Sequence, residues 1–236
     1  MSGNDRIIET VLDNSMQVIL SENQNIRALL ERHSPSSYEQ FVNRIYTDLE
    51  NVISTTESGK QHHQAKGEDE LTDHLLSQLV HIYPSAKHDV QKGGHCDLHI
   101  EVRSQDDVIY TWVGEAKLWG GYAYGRGGLF GQLLGSYASG GVNANHGGMI
   151  FYDLSSSGPE FVMGQWKQGL EAENITIIDE RVDKLRFSTS HQLNDGNGPE
   201  FHVKHFVVGL YHQPAQKVLA KKVAKDVAGK STKKKI

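Results

Sequence analysis

The chain has 236 residues, of which 37% are hydrophobic and 22% are charged, and its formal net charge is −5. This length suits one sizeable domain with extensions, and the single cysteine, Cys96, excludes an internal disulfide and a zinc site built from cysteine pairs. No apolar run approaches the ~20 residues that span a bilayer, so we expect no membrane partner. Acidic residues at 5, 9 and 13 interrupt the stretch where a secretory signal would be apolar, which favours a cytoplasmic protein.

The first part of the chain is predicted to be helical. Apolar spacing predicts an amphipathic helix over residues 5–20 and further helices near 24–33 and 38–53. The polar stretch 54–66 has no periodicity and is the best linker candidate. We therefore assign residues 1–60 to a helical N-terminal extension, where by analogy a homodimer contact or a partner subunit is expected.

A stronger helix and several strands follow. Residues 67–83 place apolar side chains on one helical face, and Pro84 ends the predicted helix. After Pro84 the apolar residues recur at every second position, which is typical of strands. The predicted elements beyond Pro84 are strands over 96–103 and 108–119, a helix over 129–139, a strand over 148–154, a helix over 159–172, a strand over 175–179 and a hairpin of 184–190 with 200–210. Together they predict an α/β (α+β) domain over residues 67–215, with core order α-β-β-β-α-β and a mixed central sheet.

The charge is distributed unevenly. Residues 217–236 hold eight lysines and one aspartate, whereas the remainder holds 16 Lys and Arg against 28 Asp and Glu, a net charge of −12. With this negative charge, residues 1–216 do not attract a polyanion such as nucleic acid by their overall charge. Either it binds nucleic acid locally, through metal ions and a few basic groups, or the basic tail over 216–236 supplies the attraction. A solvated tail without function is the alternative.

Charged residues interrupt two strands that are otherwise apolar. Antiparallel pairing across the turn at 104–107 places Asp97 opposite Gly114 or Glu115, and Glu115 shares a strand face with Lys117. Such side chains are costly to bury unless they bind something. Two carboxylates suit a Mg²⁺ ion, beside which a lysine can orient or deprotonate a water. The alternative is an ion-pair ladder on an exposed sheet face.

Asp97 is followed, after seventeen residues, by Glu115-Ala116-Lys117. This spacing resembles the D…(D/E)xK signature of the PD-(D/E)xK nuclease superfamily, whose restriction-endonuclease-like core has the same α-β-β-β-α-β order. The resemblance covers residues 67–154, including a QLL segment on the helix after the ExK strand. It implies a nuclease that uses Mg²⁺ or Mn²⁺ to hydrolyse phosphodiester bonds, in DNA rather than RNA and as an endonuclease.

The resemblance also implies roles for particular residues. An acid on the helix before the sheet matches Glu70, with Glu68 and Asp73 as rivals, and Gln132 matches a glutamine that supports the site, although it could be a helix-surface amide. The implied catalytic residues are Glu70, Asp97, Glu115, Lys117 and Gln132. The implied metal ligands are Asp97, Glu115, Glu70 and the backbone carbonyl of Ala116.

Two positions depart from the family's pattern. Cys96 replaces the usual proline before the aspartate, which is a common change. Tyr137 follows Gln132 by five residues rather than four, which argues against the exonuclease-type members of the superfamily.

Several residues are expected to contact nucleic acid. Glycine-rich residues 119–128 lack the GK[ST] of a phosphate loop and are interpreted as a mobile loop near the backbone of the substrate, although a plain turn is equally compatible. The expected contacts are Tyr122, Tyr124 and Arg126 in this loop, His99 on the Asp97 face, and Lys221 and Lys222 in the tail. A zinc site at His95, Cys96 and His99 is disfavoured because no second ligand pair has recognisable spacing.

The sequence therefore predicts a metal-dependent nuclease. The alternative, from another functional class, is a catalytically silent nuclease-fold subunit that binds nucleic acid or a protein partner. Small nucleases of this superfamily often belong to bacterial defence or mobile-element systems, and the resemblance permits that setting.

Overall fold

The computed structural model describes residues 22–88, 90–91, 95–193 and 198–213, together with residues 15 and 18. Most of the predicted helix over 5–20 lies outside the described residues. So do most of the turn in the predicted hairpin and the whole basic tail with Lys221 and Lys222.

The helical segments of the described chain are α1 (Gln24–His33), α2 (Tyr38–Ser58), a 3-10 turn (Lys60–His62), α3 (Glu68–Ile82), α4 (Tyr122–Arg126), α5 (Gly127–Tyr137) and α6 (Pro159–Ala172). Helix α5 is wound as a π-helix and continues directly from α4. None of the helices in the described ranges is long and apolar enough to cross a membrane.

The strands are β1 (Val90–Gln91), β2 (His95–Cys96), β3 (Leu98–Arg103), β4 (Ile109–Leu118), β5 (His146–Asp153), β6 (Ile177–Ile178), β7 (Arg186–His191) and β8 (Phe201–Gly209). Strands β1 and β2 pair with each other, and the other six form one open sheet in the order β3-β4-β5-β8-β7-β6. Within this sheet, β4 and β8 run parallel to β5, and the remaining pairs are antiparallel. The expectation of an α/β fold with a mixed sheet is therefore confirmed.

Helices cover both faces of the sheet. On one face α2 and α3 pack against the even-numbered positions of the central strands, with Ile45 and Leu75 in the same apolar cluster as Trp112. On the other face α5 and α6 pack Leu133 and Trp166 in one cluster with the odd-numbered positions. A sheet that is buried on both faces explains why the central strands are apolar almost throughout. Complete burial of each such large side chain contributes about 1.5–3 kcal/mol.

Helix α2 is longer than expected. The predicted helix near 38–53 continues to residue 58, so the prediction of an aperiodic linker over 54–66 was wrong for its first five residues. Thr55, Thr56 and Ser58 donate their hydroxyls to backbone carbonyls four residues earlier, which lets polar residues end the helix without lost hydrogen bonds. The described part of the segment assigned to the N-terminal extension therefore shares a core with the sheet, because the buried residues of α2 belong to the same apolar cluster.

Strands β3 and β4 form the predicted hairpin. Leu98 pairs with Gly114, so Asp97, which immediately precedes Leu98, lies level with Glu115. The strand predicted to begin at residue 96 is interrupted at Asp97, and His95–Cys96 pairs with β1 instead. The helix over 159–172 and the C-terminal hairpin also form as predicted.

Candidate active site

The acidic residues lie beside β4 at the point where its partner strand β3 begins, at Leu98. Among the described residues, no strand pairs with β4 on that side beyond Gly114. The backbone N–H groups that β3 would have paired are bonded instead by carboxylates. Asp97 Oδ2 accepts the N–H of Ala116 at 2.9 Å, and Glu68 Oε2 accepts the N–H of Leu118 at 2.7 Å. Side chains from the β2–β3 junction and from the first turn of α3 thus continue the hydrogen-bond ladder along β4.

The ammonium of Lys117 lies at the centre of these acids. Its Nζ is 2.5 Å from Glu115 Oε1, 3.2 Å from Glu68 Oε1 and 3.8 Å from Asp97 Oδ2. Glu115 is 0% exposed and Lys117 is 7% exposed. Three carboxylates therefore face one cation in a largely dry environment, where charge–charge interactions are stronger than in water.

Helix α5 covers Lys117 because Gly128 lets it approach closely. A Cβ at residue 128 would lie 3.2 Å from Cγ of Lys117 and 3.1 Å from Cε of Met149. The two neighbours belong to β4 and β5, and both would have to shift slightly to make room for a side chain at residue 128. The close approach of this glycine therefore helps to enclose the lysine stem.

Burial changes the protonation of the cluster. Burial, followed by the charge of Asp97, raises the pKa of Glu115 to about 8. Burial alone would lower the pKa of Lys117, but the neighbouring carboxylates, Glu115 foremost, raise it above its ordinary value. Burial also raises the pKa of Asp97, although the Ala116 N–H and Lys117 oppose this. At neutral pH the lysine is therefore charged, while Glu115 is predominantly protonated unless more positive charge reaches it.

The oxygen donors of this cluster are of the chemical type that a hard divalent cation prefers. Within the described ranges, Oε2 of Glu115 is buried without a hydrogen-bond partner, and Oε1 contacts the Lys117 ammonium, so a cation would compete with Lys117 for this carboxyl group. The Ala116 carbonyl points to the same side of β4 as the Ala116 N–H that Asp97 binds. Carboxylate and carbonyl oxygens are the ligands of Mg²⁺ and Mn²⁺. In the present arrangement the acids converge on the Lys117 ammonium, and the described residues contain no group of three or more His, Cys, Asp or Glu spaced to hold a metal ion.

The helix acid at the site is Glu68. Glu70 instead turns back to accept the N–H of Gly67, the N-cap residue of α3, at 3.1 Å. Asp73 lies 3.0 Å from Nδ1 of His88. The geometry therefore favours Glu68 over Glu70 as the helix acid. Glu68 is the first residue of the helix and faces the edge of β4, whereas Glu70 is the third and faces the start of the helix.

The π-helix brings Gln132 and Tyr137 together. These residues are hydrogen-bonded through their side chains although they are five positions apart. In a π-helix the backbone bond spans five residues, so this spacing places the two on one side of α5. Burial, followed by the charge of Glu115, raises the pKa of Tyr137 to about 12. The five-residue spacing therefore does not separate the two side chains on this helix.

Three predicted nucleic-acid contacts have partners within the protein. The Tyr122 hydroxyl and Nε of Arg126 both donate to Glu173 Oε1, at 2.8 and 2.6 Å. His99 shares the Asp97 face as predicted, but it is only 3% exposed and its Nε2 lies 3.3 Å from Glu101 Oε1. Tyr124 is a fourth predicted contact with a partner inside the protein, because its hydroxyl donates to the site residue Glu68.

A separate cavity of about 520 Å³ lies on the opposite face of the sheet, between α2 and the strands β5 to β8. Tyr46, His146, His202 and Lys204 are among its lining residues. None of Glu68, Asp97, Glu115 and Lys117, which we call the acidic cluster, lines this cavity. The acidic cluster lies at the open edge of β4 instead.

The acidic cluster thus combines a buried carboxyl group of raised pKa, two carboxylates bonded along β4 and a charged lysine. Helix α3, the β2–β3 junction and strand β4 each contribute to it.

Comparison with family models, with curated proteins and with solved structures gives no match for this chain.

Proposed function

We propose that this chain is a Mg²⁺- or Mn²⁺-dependent nuclease of the PD-(D/E)xK superfamily, with a restriction-endonuclease-like core and DNA as its substrate. The observation that carries the proposal is the meeting of Asp97, Glu115 and Lys117 at one edge of β4, with Glu68 as the helix acid. A cytoplasmic location and a role in bacterial defence or mobile-element systems belong to the same proposal.

A purely structural role explains this cluster less well. Buried ion pairs contribute little net stability compared with apolar residues of similar size, and three acids around one lysine are poorly balanced. The raised pKa of Glu115 shows that folding works against its charged form. Strongly shifted groups of this kind are concentrated at functional sites.

The residues suggest a division of roles. Asp97, Glu115 and the Ala116 carbonyl would hold the cation, with Glu68 in the place that the sequence assigned to Glu70. When bound, a divalent cation supplies a Lewis acid that activates water and stabilises charge on the leaving oxygen. Because the pKa of Lys117 is raised, its ammonium donates hydrogen bonds to the attacking water or to the phosphate rather than accepting a proton.

Surrounding residues would support binding. Gln132 acts through its hydrogen bond to Tyr137, a side chain whose pKa is raised in part by the charge of Glu115. Arg126 and Tyr122 are on the adjacent helix α4 and could contact phosphate after leaving Glu173. The tail residues Lys221 and Lys222 would supply non-specific attraction to nucleic acid.

One observation favours the alternative, a nuclease-fold subunit that binds nucleic acid or a partner without cutting it. The Lys117 ammonium already fills the space between the three carboxylates, as it would in a cluster that only stabilises the fold. Such a subunit would fold around the same cluster but would show no metal-dependent cleavage.

A cleavage assay separates the two functions. Purified protein is incubated with supercoiled, linear and single-stranded DNA and with RNA, each in Mg²⁺, Mn²⁺ or EDTA. Glu115→Gln and Lys117→Met remove a ligand and the ammonium while keeping similar volumes, and Lys167→Met on α6 serves as the matched control. We expect cleavage only with metal, lost in the first two variants and retained in the third. Cleavage that persists in both site variants contradicts the assigned site, and its absence from the wild type on every substrate favours the binding subunit.

A further inference from the structure

We infer that the site accepts an unpaired nucleotide and that the ring of Tyr124 is the platform on which its base stacks. This inference rests on the proposed nuclease function and adds the substrate class. The position of Tyr124, the way its ring is held, and the pairing of nearby cations each support it.

Tyr124 stands next to the acidic cluster. Its hydroxyl donates to Glu68, with Oε2 at 3.2 Å and Oε1 at 3.4 Å. The same carboxylate contacts Nζ of Lys117 at 3.2 Å, so one side chain separates the phenol from the lysine. A base on this ring would therefore lie beside a phosphate that reaches Lys117.

The ring is held at its hydroxyl end while half of the residue stays exposed. The hydrogen bond to Glu68 holds that end. Gly120 lies beside the other end and leaves open the space in which a Cβ would come within 3.4–3.5 Å of Cδ1, Cγ and Cβ of Tyr124. Tyr124 nevertheless remains 50% exposed. An exposed aromatic ring whose orientation is already determined loses little conformational freedom when a base stacks on it.

Three cations on this face of the sheet are already paired. Arg126 is bound to Glu173, Lys167 lies 2.5 Å from Glu180, and Lys117 is surrounded by carboxylates. Outside residues 217–236 the chain has a net charge of −12, from 16 basic against 28 acidic residues. A duplex is held largely through phosphate neutralisation, which this surface offers poorly. Stacking depends less on charge, and only an unpaired base presents its ring face to a protein side chain.

The test is a binding measurement that does not require cleavage. Fluorescence anisotropy is recorded in EDTA with a labelled single-stranded oligonucleotide and with the corresponding duplex, at a salt concentration that suppresses binding through the lysine tail. Tyr124→Leu removes the aromatic face, and Tyr124→Phe and Tyr124→Trp retain one. Phe161→Leu is the matched control because Phe161 is also 50% exposed but lies on α6.

We expect the wild type to bind the single strand more tightly than the duplex. Tyr124→Leu should weaken single-strand binding by about 5- to 150-fold, the loss expected for one stacked base, and should leave duplex binding unchanged. The Phe and Trp variants and Phe161→Leu should stay within about threefold of the wild type. Equal affinity for both substrates, or unchanged single-strand binding in Tyr124→Leu, overturns the inference.

The two proposals fail in different ways. If no substrate is cut but Tyr124→Leu still loses single-strand binding, the nuclease proposal fails and the stacking site stands. If DNA is cut but the Tyr124 variants bind like the wild type, only the stacking site fails. Thermal unfolding of each variant shows whether it has folded, and Tyr124→Trp provides the aromatic comparison if Tyr124→Leu does not fold.

Discussion

Glu68 and Lys117 meet across two elements that are far apart in the chain, the first turn of α3 and the strand β4. Oε1 of Glu68 lies 3.2 Å from Nζ of Lys117, while Oε2 accepts the N–H of Leu118 at 2.7 Å. One carboxylate therefore attaches the helix to the open edge of the strand and also contacts the buried ammonium. Neither bond is available to Glu70, which is occupied in capping the same helix.

Replacing each of the two helix acids, Glu68 and Glu70, in turn tests this assignment. We expect Glu68→Gln to lower the cleavage rate by about 10- to 100-fold or more, because it removes a charge that faces the lysine and the metal ligands. Glu70→Gln should retain most of the activity, since the glutamine amide can still accept the Gly67 N–H. Glu70→Ala should lower the free energy of unfolding by about 0.5–2 kcal/mol, the usual value of a cap. Initial rates and thermal unfolding measure both effects.

The opposite ranking, with Glu70→Gln inactive and Glu68→Gln active, would show that the helix acid was assigned wrongly. Asp73→Asn provides a further control, because Asp73 lies on the same helix but contacts His88 rather than Lys117.

The metal response should depend on pH through Glu115. Because its pKa in the folded protein is about 8, a cation must displace a proton to bind below that pH. We therefore expect the increase in unfolding temperature caused by Mn²⁺ to be small near pH 6, to grow as the pH rises and to level off above about pH 8. Thermal unfolding at fixed Mn²⁺ concentration measures this without any substrate.

Glu115→Gln supplies the control for that experiment. The glutamine has no proton to release, so the increase with pH should disappear together with most of the metal response. A Mn²⁺ effect in the wild type that is constant between about pH 6 and pH 9 would contradict the raised pKa of this carboxyl group.

A buried chain of hydrogen bonds predicts sensitivity to acid. Nε1 of Trp166 donates to Nδ1 of His205, whose Nε2 is 2.8 Å from Oγ1 of Thr189, and that hydroxyl is 2.7 Å from Nε2 of His191. Because the indole N–H is only a donor, His205 must be neutral and carry its proton on Nε2. The Thr189 hydroxyl then donates to His191.

Burial lowers the pKa of both histidines, that of His191 to about 4 and that of His205 well below its ordinary value. In the unfolded chain they take up protons near pH 6.5, whereas the folded protein does not. We therefore expect the free energy of unfolding to be unaffected by these groups above pH 6.5 and to fall as the pH drops towards about 4. Urea unfolding at several pH values measures this slope.

Thr189→Val tests the chain directly. It leaves the Nε2 proton of His205 without an acceptor, which should lower the free energy of unfolding at neutral pH by about 1–3 kcal/mol. A Thr189→Ser variant keeps the hydroxyl and should be closer to the wild type. Equal stability of the wild type and Thr189→Val at neutral pH would contradict the proposed tautomer.

Removing the lysine tail should change the salt dependence of DNA binding. Each lysine that contacts a phosphate contributes about 0.9 to the slope of log affinity against log salt concentration. We expect deletion of residues 217–236 to flatten that slope and to weaken binding mainly at low salt. An unchanged slope in the truncated protein would show that the tail, with Lys221 and Lys222, is not the source of attraction.

Sequence alone was sufficient for features that depend on neighbours in the chain. The change from a helical period to a period of two at Pro84 correctly separates α3 from the strands. The short turn between β3 and β4 allows only a narrow range of registers, which the sequence reduced to Asp97 opposite Gly114 or Glu115. The structure has the second of these two. Glu115 and Lys117 share a face because side chains alternate along any strand.

The local pattern was misleading at the end of α2 and incomplete at α5. The polar end of α2 resembles a linker, yet its hydroxyls bond back to the helix and Thr56 is buried. The spacing of Gln132 and Tyr137 is five residues rather than the four of the superfamily's pattern, yet the π winding of α5 places both side chains on one side of the helix. The sequence contains no local signal for this winding.

The identity of the helix acid and the partners of the exposed residues were decided by tertiary structure. Glu68 and Glu70 are chemically equivalent in the sequence, and only the direction in which α3 meets β4 separates them. Likewise, Glu173 binds Arg126 from 47 positions away because α4 and α6 pack on the same face of the sheet. Periodicity and turn chemistry act over a few residues and therefore determine elements and hairpins. Contacts between distant elements depend on how the whole sheet is covered, which no local pattern contains.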